Sequence, residues 1–301
     1  MKAKNVLFGL AMLAMASCQQ IAEEEVAESR DLVRFRVDAT TLSYAEVADW
    51  EGGASAERVV SGESVGSRAK TEVASRVAFA LIDEDGNKVI SQEKGNDESG
   101  YKVLDVEVPV GEYQLVSFAH NGSESANISA NAVVTPPGSK LTDSFIYYKV
   151  IELTEDSENE SSITLDRCVA KVSIKHLDAI PSNTASVELV ITGAGGTLDA
   201  KTGLAKDLST QTVTINIPSS AVNTKENTFS AFLFLESEES TVDIVATTKT
   251  STGSVLTSYT IEDVPVEVNM QTICSGTLFH AGQKMSVTIN SDWKDDKEIT
   301  F

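Results

Sequence analysis

The stretch "YKVLDVEVPVGEYQLVSFAHNG", residues Tyr101–Gly122, decides the fold class of this chain. Apolar and polar residues alternate on both sides of a break at Pro109–Gly111, and Asn121-Gly122 closes the second run. Alternation with a period of two is typical of β-strands with one buried face, and proline, glycine and asparagine favour turns. The stretch therefore predicts two consecutive strands joined by a tight turn.

Short runs of the same kind flank this pair of strands. Before it, "RVAFALID" (Arg76–Asp83) is an apolar strand, and Asp85-Gly86 is a hairpin signal. After it, "DSFIYYKVIEL" (Asp143–Leu153) is another strand, and the acidic "EDSENESS" (Glu155–Ser162) is predicted to be a loop. The segment Asp38–Thr71 is small, polar and weakly patterned, which leaves a short helix near Tyr44–Trp50 and a long surface loop as alternatives.

A second series of strand-like runs begins near Asp166. The runs are "LDRCVAKVSIKHL" (Leu165–Leu177), "SVELVIT" (Ser186–Thr192), "QTVTINI" (Gln211–Ile217), "TFSAFLFL" (Thr228–Leu235), "STVDIVATT" (Ser240–Thr248), "SVLTSYTI" (Ser254–Ile261), "QTICSGTLFHAG" (Gln271–Gly282) and "KMSVTINSDW" (Lys284–Trp293). Many short strands separated by turn residues indicate β-sandwiches. We therefore predict an all-β chain with an N-terminal sandwich over residues 31–166 and a C-terminal sandwich over residues 167–301.

The N-terminus has the three parts of a secretory signal peptide. Lys2 and Lys4 give a positive start, Val6–Ala14 is apolar, and small residues lead to Cys18. The apolar run is about ten residues long, and a membrane-spanning helix needs about 20. The residues "MASC" resemble the lipobox of bacterial lipoproteins. That resemblance implies cleavage of residues 1–17 between Ser17 and Cys18, and attachment of lipid to Cys18, which anchors the chain to a membrane.

Residues 18–30 are predicted to be an acidic tether rather than part of the fold. Glu23, Glu24 and Glu25 follow the cysteine, and Glu28 extends the run. Like charges repel and keep a segment extended, so a flexible linker explains the pattern. The same residues resemble the surface-export signal of Bacteroidetes lipoproteins, and both readings stay open.

Composition limits the classes of partner. The 301 residues contain 24 Lys and Arg against 45 Asp and Glu, for a formal net charge of −21. Nucleic acids need cationic neutralisation of their phosphates, so a nucleic-acid partner is not expected. Besides Cys18 the chain has Cys168 and Cys274, which either pair in the oxidising compartment or are two small buried hydrophobic residues; we favour the second.

No motif in the chain predicts catalysis, a cofactor or a metal. His120, His176 and His280 lie far apart and are interpreted as ordinary core or surface residues. The alternating acids around Asp85 resemble a calcium loop, but lysines stand at the positions that need glycine and a bidentate acid. The glycine-rich "TGAGG" (Thr192–Gly196) follows a strand and does not open a helix, so it is interpreted as a turn rather than a phosphate cradle.

Three stretches carry a resemblance to a known family. They are "VPVGEYQLVSFAHNG" (Val108–Gly122), "LDRCVAKVSI" (Leu165–Ile174) and "VTINSDWKDDKEITF" (Val287–Phe301). Together with the lipobox, they resemble the fimbrillin-like lipoproteins of Bacteroidetes, which are stalk, anchor or tip subunits of fimbriae (pili). The resemblance implies two transthyretin-like β-sandwich domains, no catalysis, a lipid-anchored position on the cell outer membrane and a role in adhesion.

The resemblance also implies partners and a mechanism. The partners are other fimbrial subunits, which assemble when an extended segment of one subunit fills a groove left by a missing strand in the next. In many members an arginine-specific protease first removes the N-terminal segment, and "LVRFRV" (Leu32–Val37) is the strand that is kept or removed. The arginines available for such cleavage are Arg30, Arg34, Arg36, Arg58, Arg68 and Arg76.

A binding module is the alternative function. A surface lipoprotein could bind a glycan or a host protein through exposed aromatic residues. Only Trp50 and Trp293 are available as tryptophans for stacking on sugars.

Overall fold

A computed structural model describes residues 31–40, 42–44, 70–72, 74–138, 140–156, 159–280 and 286–290. The predicted signal peptide and tether, and most of the weakly patterned segment before residue 70, lie outside these ranges. Within them the chain is almost entirely β-strand, and the one helical element is a 3₁₀ turn at Ser219–Ala221. This confirms the all-β, sandwich-like fold class.

Twelve strands precede residue 170 in the described part of the chain. They are β1 (Leu32–Thr40), β2 (Leu42–Tyr44), β3 (Lys70–Glu72), β4 (Arg76–Asp83), β5 (Lys88–Gly95), β6 (Val103–Pro109), β7 (Gly111–His120), β8 (Asn127–Ile128), β9 (Val133–Thr135), β10 (Ser144–Leu153), β11 (Glu160–Thr164) and β12 (Asp166–Arg167).

Eight strands follow in the described residues. They are β13 (Ala170–His176), β14 (Ser186–Asp199), β15 (Leu204–Asn216), β16 (Thr228–Leu233), β17 (Glu239–Lys249), β18 (Val255–Glu267), β19 (Gln271–Gly276) and β20 (Ser286–Asn290).

The first sandwich packs a three-stranded sheet on a five-stranded sheet. The strand order is β11-β1-β6 in the first sheet and β12-β10-β7-β4-β5 in the second. Phe35 and Leu104 of the small sheet and Phe79, Leu115 and Phe145 of the large sheet share one buried hydrophobic cluster. Period-two alternation places these side chains on the inner faces.

The second sandwich packs a four-stranded sheet, β16-β13-β19-β20, on a six-stranded sheet. In the larger sheet the strand order begins β18-β17-β14. Strand β15 pairs with the other edge of β14. The C-terminal end of β14 pairs with β9, and β9 pairs with β8. Ile174 and Phe229 on one side and Leu189 and Ile244 on the other belong to its core.

A third hydrophobic cluster lies between the two sandwiches. It contains Ala80 and Phe118 from the five-stranded sheet, Val134 from β9, and Leu198 and Phe234 from the second half. The five-stranded sheet is therefore buried on both faces. This explains why six consecutive residues of β4 are buried, and why "RVAFALID" lacks alternation.

The predicted hairpin at Asp85-Gly86 is confirmed between β4 and β5, with Gly86 at φ +81°. The turn at Pro109–Gly111 is also confirmed, and the Tyr113 hydroxyl donates to the Pro109 carbonyl at 2.8 Å. The turn at Asp85-Gly86 joins two paired antiparallel strands of one sheet, whereas the turn at Pro109–Gly111 takes the chain from β6 in the three-stranded sheet to β7 in the five-stranded sheet.

Two sequence interpretations are wrong. Glu160–Ser162 belongs to strand β11, because pairing with β1 uses the backbone and only Ile163 of that strand is buried. Thr192–Gly196 is not a turn but lies inside β14, where the register shifts at β-bulges between Ile191 and Ala194 and beyond. Gly193, at φ +91°, supplies the backbone freedom that this bulge needs.

Among the described residues, no helix combines the length and apolar character needed to cross a membrane.

Candidate interaction site at the first strand

Strand β1 inserts one apolar face into the core of the first sandwich. Phe35, Val37 and Ala39 are between 0% and 3% exposed, and all three belong to its hydrophobic cluster. Arg34 and Arg36, which alternate with these residues, are on the outer face of the sheet. The strand that the family resemblance implied at "LVRFRV" is present, and the alternation within it matches one buried face.

Backbone pairing holds β1 on both sides. It runs antiparallel to β6, from Leu32 opposite Pro109 to Asp38 opposite Val103. It runs parallel to β11, with Arg36 opposite Glu160 at the start of that pairing. Because β1 is the central strand, its absence would leave an open groove between the facing edges of β6 and β11.

Ion pairs cover the outer face of β1. The Arg34 guanidinium donates to both carboxylate oxygens of Asp105 on β6, with Nε–Oδ1 at 2.8 Å and Nη2–Oδ2 at 2.6 Å. Arg36 reaches the same carboxylate through Nη1 at 3.4 Å, and contacts Asp38 at 3.1 Å. Hydrogen bonding from Arg34 lowers the pKa of Asp105, and Asp105 raises the pKa of Arg34.

An open cavity of about 560 Å³ lies beside the start of β1 and is lined by residues 110–112 and 152–156. Val110, which lines the cavity, donates its amide to the carbonyl of Asp31, the residue before β1, at 2.9 Å. A hydrogen bond with Asp31, and repulsion from its charge, raise the pKa of Glu155. The entrance of the strand is therefore strongly acidic.

The structure places three of the six candidate processing arginines in strands. Arg34 and Arg36 lie in β1, and Arg76 begins β4, where its Nε donates to Glu93 at 2.6 Å. The other predicted residues of the processing and lipidation sites lie outside the described ranges: Ser17, Cys18, Arg30, Arg58 and Arg68.

Two of the three histidines meet at Asp178, which their sequence spacing did not predict. His280 Nδ1 lies 2.7 Å from Asp178 Oδ2, and His176 Nδ1 lies 2.7 Å from the Asp178 carbonyl oxygen. The amides of Leu278 and Phe279 donate to the same carboxylate at 2.9 Å. The three bonds to the Asp178 carboxylate join residues about a hundred positions apart, so they hold the segment after β13 against the segment after β19.

His176 is fully buried and its two ring nitrogens have fixed roles. Nδ1 donates to the Asp178 carbonyl, and Nε2 accepts from the Asn227 amide at 3.2 Å. Only the neutral ring satisfies both bonds. Burial lowers the pKa of His176.

Cys168 and Cys274 are unpaired and buried. This confirms the interpretation that favoured two buried hydrophobic residues over a disulfide. Burial raises the pKa of the Cys274 thiol to about 11, and raises that of Cys168 as well.

Across the described ranges, no group of three or more His, Cys, Asp or Glu side chains is arranged to hold a metal ion. Trp50 and Trp293, on which the glycan-binding alternative relied, are outside those ranges.

The acidic residues that face β1 were missed by sequence reasoning. Asp105 and Glu107 alternate with apolar residues in "VLDVEVP", and Arg34 and Arg36 alternate with apolar residues in "LVRFRV". Opposite charges on the same face of two alternating strands are a pairing signal. That signal could have identified β6 as the neighbour of β1.

A family model described as a family of unknown function, DUF6562, matches residues 67–301. The chain therefore belongs to this family. No curated protein matches the chain.

Several solved structures of Bacteroidetes fimbrial and adhesin-like proteins are similar to this one. A candidate polysaccharide-binding protein (DUF1812) from Bacteroides thetaiotaomicron is 12% identical with a TM-score of 0.51, covering 89% of this chain and 99% of its own. The fimbrial anchor protein Mfa2 from Porphyromonas gingivalis is 12% identical with a TM-score of 0.43, covering 86% and 98%. The tip fimbrial protein Mfa3 from the same organism, truncated at its C-terminus, is 12% identical with a TM-score of 0.40, covering 85% and 99%.

Proposed function

We propose that this chain is a non-catalytic structural subunit of a cell-surface fimbria, tethered to the outer membrane by lipid on Cys18 and joined to other subunits by strand exchange. The observation that carries the proposal is the position of β1, a central strand at the N-terminal end of the fold. Its neighbours β6 and β11 both follow it by more than 60 residues in the chain. Only the segment after β1 joins it covalently to the rest of the sandwich.

The six arginines have different consequences if they are cleaved. Arg30 precedes β1, so cleavage there removes the lipidated end and leaves β1 attached. Arg34, Arg36 and Arg76 lie in strands that are paired on both sides, so a protease can cut at them only after local unfolding releases the strand.

Arg58 and Arg68 lie after β1 and before β4. Cleavage at either would separate β1 covalently from the rest of the fold. We propose these two arginines as the processing sites of a polymerising subunit.

Loss of β1 would create a site for a partner strand. The core side chains that contact Phe35, Val37 and Ala39 would lose their cover, and the edges of β6 and β11 would lose their hydrogen-bond partner. An extended segment of a neighbouring subunit restores both by adding a strand. A subunit that keeps β1 would instead end or anchor the polymer.

We also propose a division near residue 166 into two domains, 31–166 and 167–301. Each range contributes its own sandwich core. The third cluster joins the two ranges, so the domains are expected to behave as one rigid body.

Arginine-specific proteolysis of the purified mature chain tests the proposed function. Mass mapping is expected to find cleavage at Arg58 or Arg68, followed by multimers that resist mild denaturant. A chain carrying Arg58→Gln and Arg68→Gln is the matched control and should stay monomeric. Cleaved protein that loses β1 and remains monomeric at high concentration would argue against a polymerising subunit.

A further inference from the structure

We propose that the groove between β6 and β11 selects its occupant by charge: the partner strand carries basic residues at the positions of Arg34 and Arg36, and Asp105 recognises them. This inference rests on the proposed function, because it concerns the strand that replaces β1. The occupant that we propose is a strand from another subunit with apolar residues facing the core and basic residues facing outward.

Both arginines on the outer face of β1 contact Asp105. Both oxygens of its carboxylate accept hydrogen bonds from Arg34, and Oδ2 also accepts from Arg36. In the antiparallel register, Arg36 is directly opposite Asp105. A bidentate guanidinium–carboxylate pair fixes geometry as well as charge, so it also defines the register of the strand.

Both strands next to β1 carry a further acidic residue opposite one of its arginines. Glu107 of β6 is opposite Arg34, and Glu160 of β11 is opposite Arg36. The two flanking strands would be about 10 Å apart without β1, since neighbouring strands are spaced by about 4.8 Å. Carboxylates from both sides would then border the groove without Arg34 and Arg36, which leave with β1.

The rest of the molecule strengthens this preference. The chain has a formal net charge of −21, and the acidic cavity at residues 110–112 and 152–156 adjoins the start of β1. An acidic incoming strand would meet repulsion along its outer face, while a basic strand would be attracted. The apolar face alone would accept any alternating strand, so the charges supply specificity.

Peptide exchange into the full chain tests the proposal. A single engineered protease site between Gly52 and Gly53 allows the folded chain to be nicked, and mild urea allows the resident strand to exchange. Three labelled peptides of residues 31–40 are then compared by gel filtration and fluorescence anisotropy: the native sequence, Arg34→Gln with Arg36→Gln, and Arg34→Glu with Arg36→Glu.

The native peptide is expected to bind about three- to tenfold more tightly than the Gln peptide, and at least about tenfold more tightly than the Glu peptide. The differences should shrink in 1 M NaCl, where the Debye length is about 3 Å. An Asp105→Asn chain should lose most of the preference for the native peptide over the Gln peptide. An Asp105→Arg chain should gain affinity for the Glu peptide.

The outcomes separate the two proposals. Equal binding of all three peptides to the nicked chain would overturn charge selection and leave strand exchange intact. If none of the peptides enters, including the native one, strand exchange at β1 itself is refuted, and the inference with it. An unchanged preference in the Asp105→Asn chain would remove Asp105 as the recognising residue.

Discussion

Arg167 and Asp143 form a buried bidentate ion pair at the junction of the two sandwiches. Arg167 Nε lies 2.8 Å from Asp143 Oδ1, and Nη2 lies 3.0 Å from Oδ2. The same guanidinium donates from Nη1 to Asn269 Oδ1 at 2.9 Å and lies over the Phe145 ring at 5.1 Å. One side chain on β12 of the first sandwich therefore contacts Asp143, just before β10, and the loop before β19 of the second sandwich.

Removing this arginine is expected to be strongly destabilising. Arg167→Ala leaves the Asp143 carboxylate without the guanidinium, and breaking a buried pair costs about 3–5 kcal/mol. Urea unfolding measures the loss. The exposed pair of Lys206 with Asp199, 3.6 Å apart, provides the control, and Lys206→Ala should change stability by no more than about 0.5 kcal/mol.

A double variant distinguishes pairing from simple loss of packing. If the two side chains act together, Arg167→Ala combined with Asp143→Ala costs less than the sum of the single changes. Strict additivity would show that the Arg167 and Asp143 side chains contribute no coupling energy to the stability of the fold.

Because one hydrophobic cluster is shared by the two sandwiches, a cavity made in it from one half should destabilise strands of the other half. Phe234 and Phe229 are both fully buried, but Phe234 belongs to the shared cluster and Phe229 to the core of the second sandwich. Each Phe→Ala change should cost about 3–5 kcal/mol. Hydrogen exchange should show weaker protection of β7 in Phe234→Ala.

The Phe229→Ala variant is the matched control for that experiment. It should weaken protection in β13 and β16 first, because its contacts are within the second sandwich. Identical exchange patterns in the two variants would contradict a separate interface cluster.

Acidification is expected to weaken the second sandwich through His176. Its folded pKa is lowered by burial below the ordinary value of about 6.5, so the unfolded chain binds more protons just below that pH. The stability that the neutral ring contributes is present above pH 6.5 and is lost as pH falls through the folded pKa. His176→Gln should reduce the change in unfolding free energy between pH 7.5 and 5.5.

Nitrogen NMR of the ring checks the cause directly. The neutral ring should carry its proton on Nδ1, because Nε2 accepts from the Asn227 amide. A ring that titrates at or above pH 6.5, or that carries its proton on Nε2, would contradict this assignment.

The two buried thiols are expected to be inert in the folded chain. The thiolate is the reactive form, and burial raises the pKa of both Cys168 and Cys274. In a Cys18→Ser chain, a thiol reagent should detect no fast-reacting group at pH 8 and two groups after denaturation. A mass gain of two hydrogen atoms on reduction would instead reveal a disulfide.

Local pattern was sufficient for most strands and insufficient where partners lie far along the chain. The hairpin at Asp85-Gly86 and the turn at Pro109–Gly111 depend on adjacent residues, and both are as predicted. Glu160–Ser162 became a strand because β1, more than 120 residues earlier, offers it a backbone partner. Polar residues at a sheet edge carry no periodic signal, so the pairing could not be read from them.

The sequence by itself determined the all-β class, the turns between neighbouring strands and the one-sided burial of β1, because these depend on local alternation and turn chemistry. Only the tertiary structure decided that β1 is central between β6 and β11 and that β4 is buried on two faces. It also decided that Arg34 and Arg36 both contact Asp105. Strand order and sheet contacts join residues distant in the chain, and many orders satisfy the same alternation. Their selection depends on the packing of whole sheets, which no single stretch specifies.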